Sequence, residues 1–141
     1  MSANSRTSKQ YDSATRRQGR ERALGLLYEA EIKGVPVLSV VEALVVAPDQ
    51  FASVLVDAVS TNAEQIDELI KSASLHWVMD RMAVVDRILL RIGVAELLDE
   101  SGPPVAVVID EAVELAKAYS TEESSGFVNG ILSTLAVQLR A

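Results

Sequence analysis

The chain has no cysteine, one histidine, one tryptophan and four prolines in 141 residues. Without cysteine there is neither a disulfide nor a thiolate metal site, a composition compatible with the cytoplasm. The single histidine, His76, adjoins Trp77 and reads as a partly buried residue at a helix junction rather than a catalytic group. Acidic groups such as Asp110, Glu111 and Glu114, or Glu122 and Glu123, have no histidine or calcium-loop spacing beside them and fit solvated helix faces. No glycine-rich phosphate loop, nucleophile elbow or dinucleotide fingerprint is present. No run of about 18 apolar residues could span a bilayer, and the polar N-terminus has no apolar segment of the kind a secretory signal needs. The expectation is a cytoplasmic protein without metal, cofactor or catalytic activity.

What is present is a strong helical pattern. The chain is 49% hydrophobic and 23% charged, and at this length it can bury roughly 70% of the surface exposed when unfolded. Residues 1–13 read as a flexible polar arm and 14–141 as one helical domain. From Ser13 to about Lys33, Ala23, Leu26, Leu27 and Ala30 recur at helical spacing, and Gly34 then ends the helix. A short helix over Val37–Val46 follows Pro36, although its paired valines also allow a strand. Pro48-Asp49 opens one long helix to about Ala73, with Asn62 interrupting its apolar stripe. A further turn is expected around Leu75–Met79. Met82 to Leu98 is apolar nearly all round, as suits a central helix packed on several sides. Beyond the break at Ser101-Gly102-Pro103-Pro104, one stripe runs Val105, Val108, Ile109, Ala112, Leu115, Ala116 and Tyr119. A last helix covers about Ser124 to Leu139. The fold class is therefore all-α, a compact bundle of about seven helices.

Charge is unevenly spread. Of the net −7, residues 1–22 carry six basic against two acidic residues, or +4, leaving −11 for the remainder. A basic end on an acidic body suits local contact with a polyanion rather than broad binding along a duplex. Three features could carry binding. In T-R-R-Q-G-R-E-R, residues 15–22, Arg16 and Arg20 share a helix stripe, suited to phosphate or equally to a solubilising face. In G-F-V-N-G, residues 126–130, Gly130 costs a helix about 1 kcal/mol relative to alanine. Either close approach of another helix or a ligand contact should offset that, and Phe127 is core or a base-stacking platform. Asp86, Arg87, Arg91 and Glu96 interrupt the central helix, through internal pairing and capping or to face a partner.

Together these segments resemble the NusB family. The arm pattern R-R-x-x-R-E-x-A-x-x-x-L-Y is met by Arg16-Arg17, Arg20-Glu21, Ala23, Leu27 and Tyr28. Leu90-Arg91-Ile92 with Glu96-Leu97 is similar to the family's central helix, and Pro103 through Lys117, Glu122-Glu123-Ser124 and Phe127-Val128-Asn129-Gly130 to its C-terminal block. The resemblance implies two three-helix bundles packed across each other plus a short helix. It further implies a transcription antitermination factor that binds boxA, a single-stranded RNA element of ribosomal-RNA leader transcripts, with NusE, a small-subunit ribosomal protein. The pair would join the RNA polymerase elongation complex. By this likeness Arg16, Arg17 and Arg20 carry the RNA backbone, Phe127 meets a base and Glu123 lies near the RNA, the arginines and Phe127 forming one patch. Alanine at the three arginines should weaken RNA binding and leave the fold intact. Tyr28 and Asp86 are expected at the NusE interface. Gln18-Gly19 and Ser125-Gly126 depart from the family pattern and remove phosphate contacts. A helical protein-interaction module without RNA binding, and a homodimer that hides the RNA face, stay open as alternatives.

Overall fold

The computed structural model describes residues 11–74 and 78–140, and among these all regular structure is helical. The first helix, α1 (Ser13–Lys33), begins where the Asp12 carboxylate accepts a hydrogen bond from the Thr15 amide at 2.8 Å. That bond holds the Asp12 carboxyl below its ordinary pKa. The helix ends at Gly34, whose φ of 66° allows the Gly34 amide to reach Ala30 and Glu31 carbonyls. The helix starts at Ser13, where its apolar period begins, and Tyr11 just before it packs on Phe51, with ring centroids 5.0 Å apart.

Pro36 leads into α2 (Val37–Glu42), four residues shorter than expected because Ala43–Val46 leave the helix with Val45 and Val46 exposed. The long helix read from Pro48 is two. Asp49 caps α3 (Gln50–Thr61), which stops at Asn62; α4 (Ala63–Ala73) then starts afresh. At the break Asn62 leaves helical geometry, with φ −106° and ψ 22°, and its side-chain amide donates to the Ala58 carbonyl at 3.0 Å alongside its own backbone N–H at 3.2 Å. Of the turn expected at Leu75–Met79, residues 75–77 (with His76) lie outside the described residues; a single 3-10 turn occupies Met79–Arg81. The remaining helices are α5 (Val84–Leu98), α6 (Val105–Tyr119) and α7 (Ser124–Leu139).

The α5, α6 and α7 helices pack on one another as one three-helix bundle. Across it lies the N-terminal group, in which α3 and the short α2 lie against α1, with α4 beside α3. The two groups meet on α5, which touches α1, α3, α4, α6 and α7. Ile88, Leu89, Leu90, Val94 and Leu97 are almost wholly inaccessible, and only the stripe of Val84, Arg91 and Leu98, with Val85 beside it, is partly open to water.

Its charges are answered internally. Glu96, 5% exposed, receives Arg20 through two hydrogen bonds of 2.7 and 2.8 Å, and Arg20 is 2% exposed. Arg87 pairs with Glu31 and donates to the Met79 carbonyl, and Arg91 grips Asp67 at 2.9 and 3.1 Å. At the far end, the Arg140 guanidinium donates to the carbonyls of Glu96, Leu97, Asp99 and Pro103, closing the C-terminus of α5.

Gly19 sits where α1 crosses α3. A Cβ there would lie 2.6 Å from Phe51 Cδ2 and 3.3 Å from the Ala52 amide nitrogen. The interruption of the arginine run is thus a packing requirement. Gly130 is the opposite case: nothing lies within 4 Å of its would-be Cβ, so close helix approach does not explain it.

Two outcomes follow from this packing. Arg20→Ala, which strands Glu96 in the interior, should cost about 3–5 kcal/mol, whereas Arg20→Met with Glu96→Leu should be near neutral in urea unfolding. Gly19→Ala should lower stability, since overpacking of about 1–3 kcal/mol outweighs the gain of about 1 kcal/mol from alanine's helix preference. Gly25→Ala, an open position on the same helix, should instead raise the unfolding midpoint.

Candidate functional site

Where α5 and α7 both begin, the surface dips into a depression of about 420 Å³ lined by Arg81, Met82, Asp86, Thr121, Glu123 and Phe127, among others. Phe127 lies one turn into α7 and is half-buried, so part of its ring remains on the surface. Glu123 precedes that helix and is exposed. Asp86, in the first turn of α5, is 6% exposed. Its carboxylate accepts the Ser120 hydroxyl at 2.6 Å and the Ser124 hydroxyl at 2.9 Å, which ties the α6–α7 corner to α5. Asp86 is therefore first an internal acceptor, presenting only an edge to anything in the depression. Three residues singled out in the sequence, Asp86, Glu123 and Phe127, come together here.

Around the same end of α5 lies a second depression of about 430 Å³, formed by Glu21, Leu24, Gly25, Tyr28, Val85 and Tyr119. Val85 and Asp86 are neighbours in the first turn of α5, so both hollows lie at the same end of that helix. Tyr28 is 43% and Tyr119 51% exposed. Tyr119 was expected on the inward stripe of α6, but it falls in the last turn, beyond the core, and its hydroxyl donates to Glu21 at 2.6 Å. Nothing in the helical period distinguishes a terminal stripe position from a buried one, and this exposed aromatic was missed for that reason.

The arginines stand elsewhere. Arg16 lies against the Tyr11 and Phe51 rings, 5.8 and 5.1 Å from their centroids, in a hollow that also includes Leu98 and Asp99 at the opposite end of α5. Asp86 and Leu98 are twelve residues apart, about 18 Å along the axis at 1.5 Å per residue. Arg16 and Phe127 do not form the single patch expected. Arg17 is on the surface with its side chain 65% exposed, and binds Glu111 on α6 through two hydrogen bonds of 3.0 and 3.2 Å. Arg20 requires a correction: buried against Glu96, its guanidinium has no face left for an RNA backbone, and its removal would not leave the fold intact.

Among the described residues no group of three or more histidine, cysteine, aspartate or glutamate side chains is placed to hold a metal ion, and no helix is long and apolar enough to cross a membrane. The fold and its surface define an all-helical protein with two hollows at the start of α5, one lined in part by Asp86, Glu123 and Phe127, the other in part by Glu21, Tyr28 and Tyr119. A family model described as the NusB family matches residues 17–137. The chain belongs to the NusB family. It is 47% identical over 125 residues to the transcription antitermination protein NusB of Thermobifida fusca (strain YX), covering 86% of this chain and 88% of that protein. To the protein of the same name from Streptomyces coelicolor it is 42% identical over 131 residues, covering 86% and 92%. Among solved structures it superposes on T. maritima NusB with a TM-score of 0.79 at 34% identity, over 87% of this chain and 91% of that one. A NusB solved with NusE and double-stranded RNA matches with a TM-score of 0.75 at 30% identity, over 90% and 99%.

The Tyr119–Glu21 contact gives the site a measurable signature. The hydrogen bond, then burial, then the carboxylate's charge hold the Tyr119 hydroxyl above its ordinary pKa of 10.0. Glu21→Gln removes the charge opposing ionisation, so one tyrosinate step in an absorbance titration should move to lower pH, and Tyr119→Phe should abolish that step. A titration indifferent to Glu21→Gln would mean the contact is not populated in solution.

Proposed function

We propose that the chain is a transcription antitermination factor that binds boxA single-stranded RNA of ribosomal-RNA leader transcripts together with NusE and joins the RNA polymerase elongation complex. It acts in the cytoplasm by assembly, with no catalysis of its own. The observation that carries this reading is the pairing of two hollows around the start of α5 in a chain of this family: one offers Phe127 and Glu123 to RNA, the other offers Tyr28 to a protein. The likeness to a NusB solved with NusE and double-stranded RNA supports NusE and RNA as partners.

On this reading Arg16 and Arg17 supply the salt-dependent part of affinity, and Phe127 takes a base by stacking, the usual mode for unpaired RNA. With Arg16 and Phe127 near opposite ends of α5, one strand reaches both only if it runs along the molecule. At 3.4 Å per stacked nucleotide the 18 Å offset corresponds to about five nucleotides. Arg20 serves the interior, and Asp86 positions the corner that carries Glu123 and Phe127.

The test is boxA RNA binding, with and without NusE, across a salt series. Arg16→Ala with Arg17→Ala should weaken binding and flatten the slope of log K against log salt by about 0.7 for each phosphate no longer neutralised, while the unfolding midpoint stays close to the parent's. A slope unchanged by both substitutions would count against the arginines as the RNA contact.

A further inference from the structure

The acidic body leaves few cations available to a polyanion. Among the described residues every lysine is paired with a carboxylate one turn away: Lys33 with Glu29, Lys71 with Glu68, Lys117 with Glu114. Arg17, Arg20, Arg87 and Arg91 are bound to carboxylates, Arg140 to carbonyls, and Arg16 lies on aromatic rings. Two guanidinium groups among the described residues remain without such a partner, Arg22 and Arg81. Arg22 sits on the outer face of α1 beside Gln18, Glu21 and Gly25, in a shallow patch with no aromatic side chain. Arg81 lines the depression that holds Phe127.

We propose that Arg81 is the phosphate-binding residue of the Phe127 depression, holding the backbone of the nucleotide whose base meets Phe127. The proposal rests on the RNA-binding reading above and adds a residue to it. Arg81 ends the 3-10 turn Met79–Arg81, flanked by the buried Met79 and Met82, and the Met79 carbonyl of that turn is itself held by Arg87 at 3.0 Å. An exposed guanidinium on so anchored a base loses little freedom on binding, and its planar fork matches phosphate. The carboxylates in the same hollow do not oppose this. Asp86 is turned toward Ser120 and Ser124. Asp86 and Glu123 also stand at the starts of α5 and α7, where the positive ends of two helices offset their charge. Glu123 can accept from an exocyclic amine, a donor that bases offer and phosphates do not. The depression thereby supplies what the α1 arginines cannot: positive charge next to Phe127.

The experiment is a salt series of boxA RNA binding by the full chain with NusE, comparing the parent with Arg81→Gln, Arg81→Lys and Lys33→Gln. Arg81→Gln should bind about five- to tenfold more weakly, with a slope shallower by about 0.7. Arg81→Lys should keep the slope, and Lys33→Gln, which removes the same charge elsewhere, should change neither. An Arg81→Gln protein with the parent's slope overturns the proposal while leaving the RNA reading intact, and weakened NusE capture with an unchanged slope overturns it in favour of a protein contact. A parent that binds no boxA RNA at either extreme of salt overturns the reading and the proposal together.

Discussion

The structure depends on one constraint: a helix buried along most of its circumference that still carries four charged side chains. An uncompensated charge in the interior costs several kcal/mol, so α5 can be buried only where its partners arrive together. They come from different parts of the chain. Arg20 and Glu31 are on α1, Asp67 is on α4, and Ser120 and Ser124 flank the corner between α6 and α7. Compared with an apolar replacement such pairs add little net stability. Their weight lies in what they forbid. Rotating α5 by one residue or sliding it by a turn would keep most apolar contacts but leave Glu96, Arg87 and Asp86 against hydrocarbon. The two groups of helices are therefore held in one alignment, and that alignment builds both hollows at the start of α5.

The same matching of charges shapes the surface. Each cation that α1 and α5 commit to the interior is withheld from solvent, and the exposed lysines are matched by glutamates one helical turn away. Long-range attraction for a polyanion from such a body is weak at physiological salt, where charges beyond about 8 Å are screened. Recognition must then be a matter of short-range contacts: a guanidinium fork, a ring face, a carboxylate that meets an amine. The hollow at Phe127 offers all three.

Much of the fold was legible in the sequence because the helical period persists through the core. The last helix runs Ser124–Leu139, as its stripe of Val128, Ile131 and Leu135 indicates, and Gly34 ends the first. The break at Asn62 was visible only as a flaw in a stripe; what makes it a terminus is the Asn62 backbone, which leaves helical geometry at φ −106° and ψ 22° while its side-chain amide joins its own N–H on the Ala58 carbonyl. The site was less legible. Arg17 and Arg20 look alike in sequence, three residues apart in one basic run. Their fates diverge because Arg20 faces Glu96, 76 residues further on, while Arg17 faces outward. No local pattern encodes that. Nor does any local signal place Arg16 at one end of α5 and Phe127 at the other, since both follow from how α1 lies across the helix. Arg81 gives no periodic or motif signal at all and stands out only once the other cations have been placed beside their neighbours.

The separation of the two ends bears on how an acidic protein would hold RNA. A contact at Phe127 and a contact at Arg16, near opposite ends of α5, are each too few to hold a flexible strand against the entropy of ordering it. Joined by the strand, the second becomes intramolecular once the first has formed, and its effective concentration rises with the match between span and strand length. A protein seated on the neighbouring Tyr28–Tyr119 hollow would stand beside the Phe127 end rather than the arginine end. Its benefit to RNA binding would then fall at the end where this chain offers Arg81 and Phe127 rather than the α1 arginines. On that argument the partner and the α1 arginines act on different stretches of the same strand, and the gain from adding one should be largest when the other is intact.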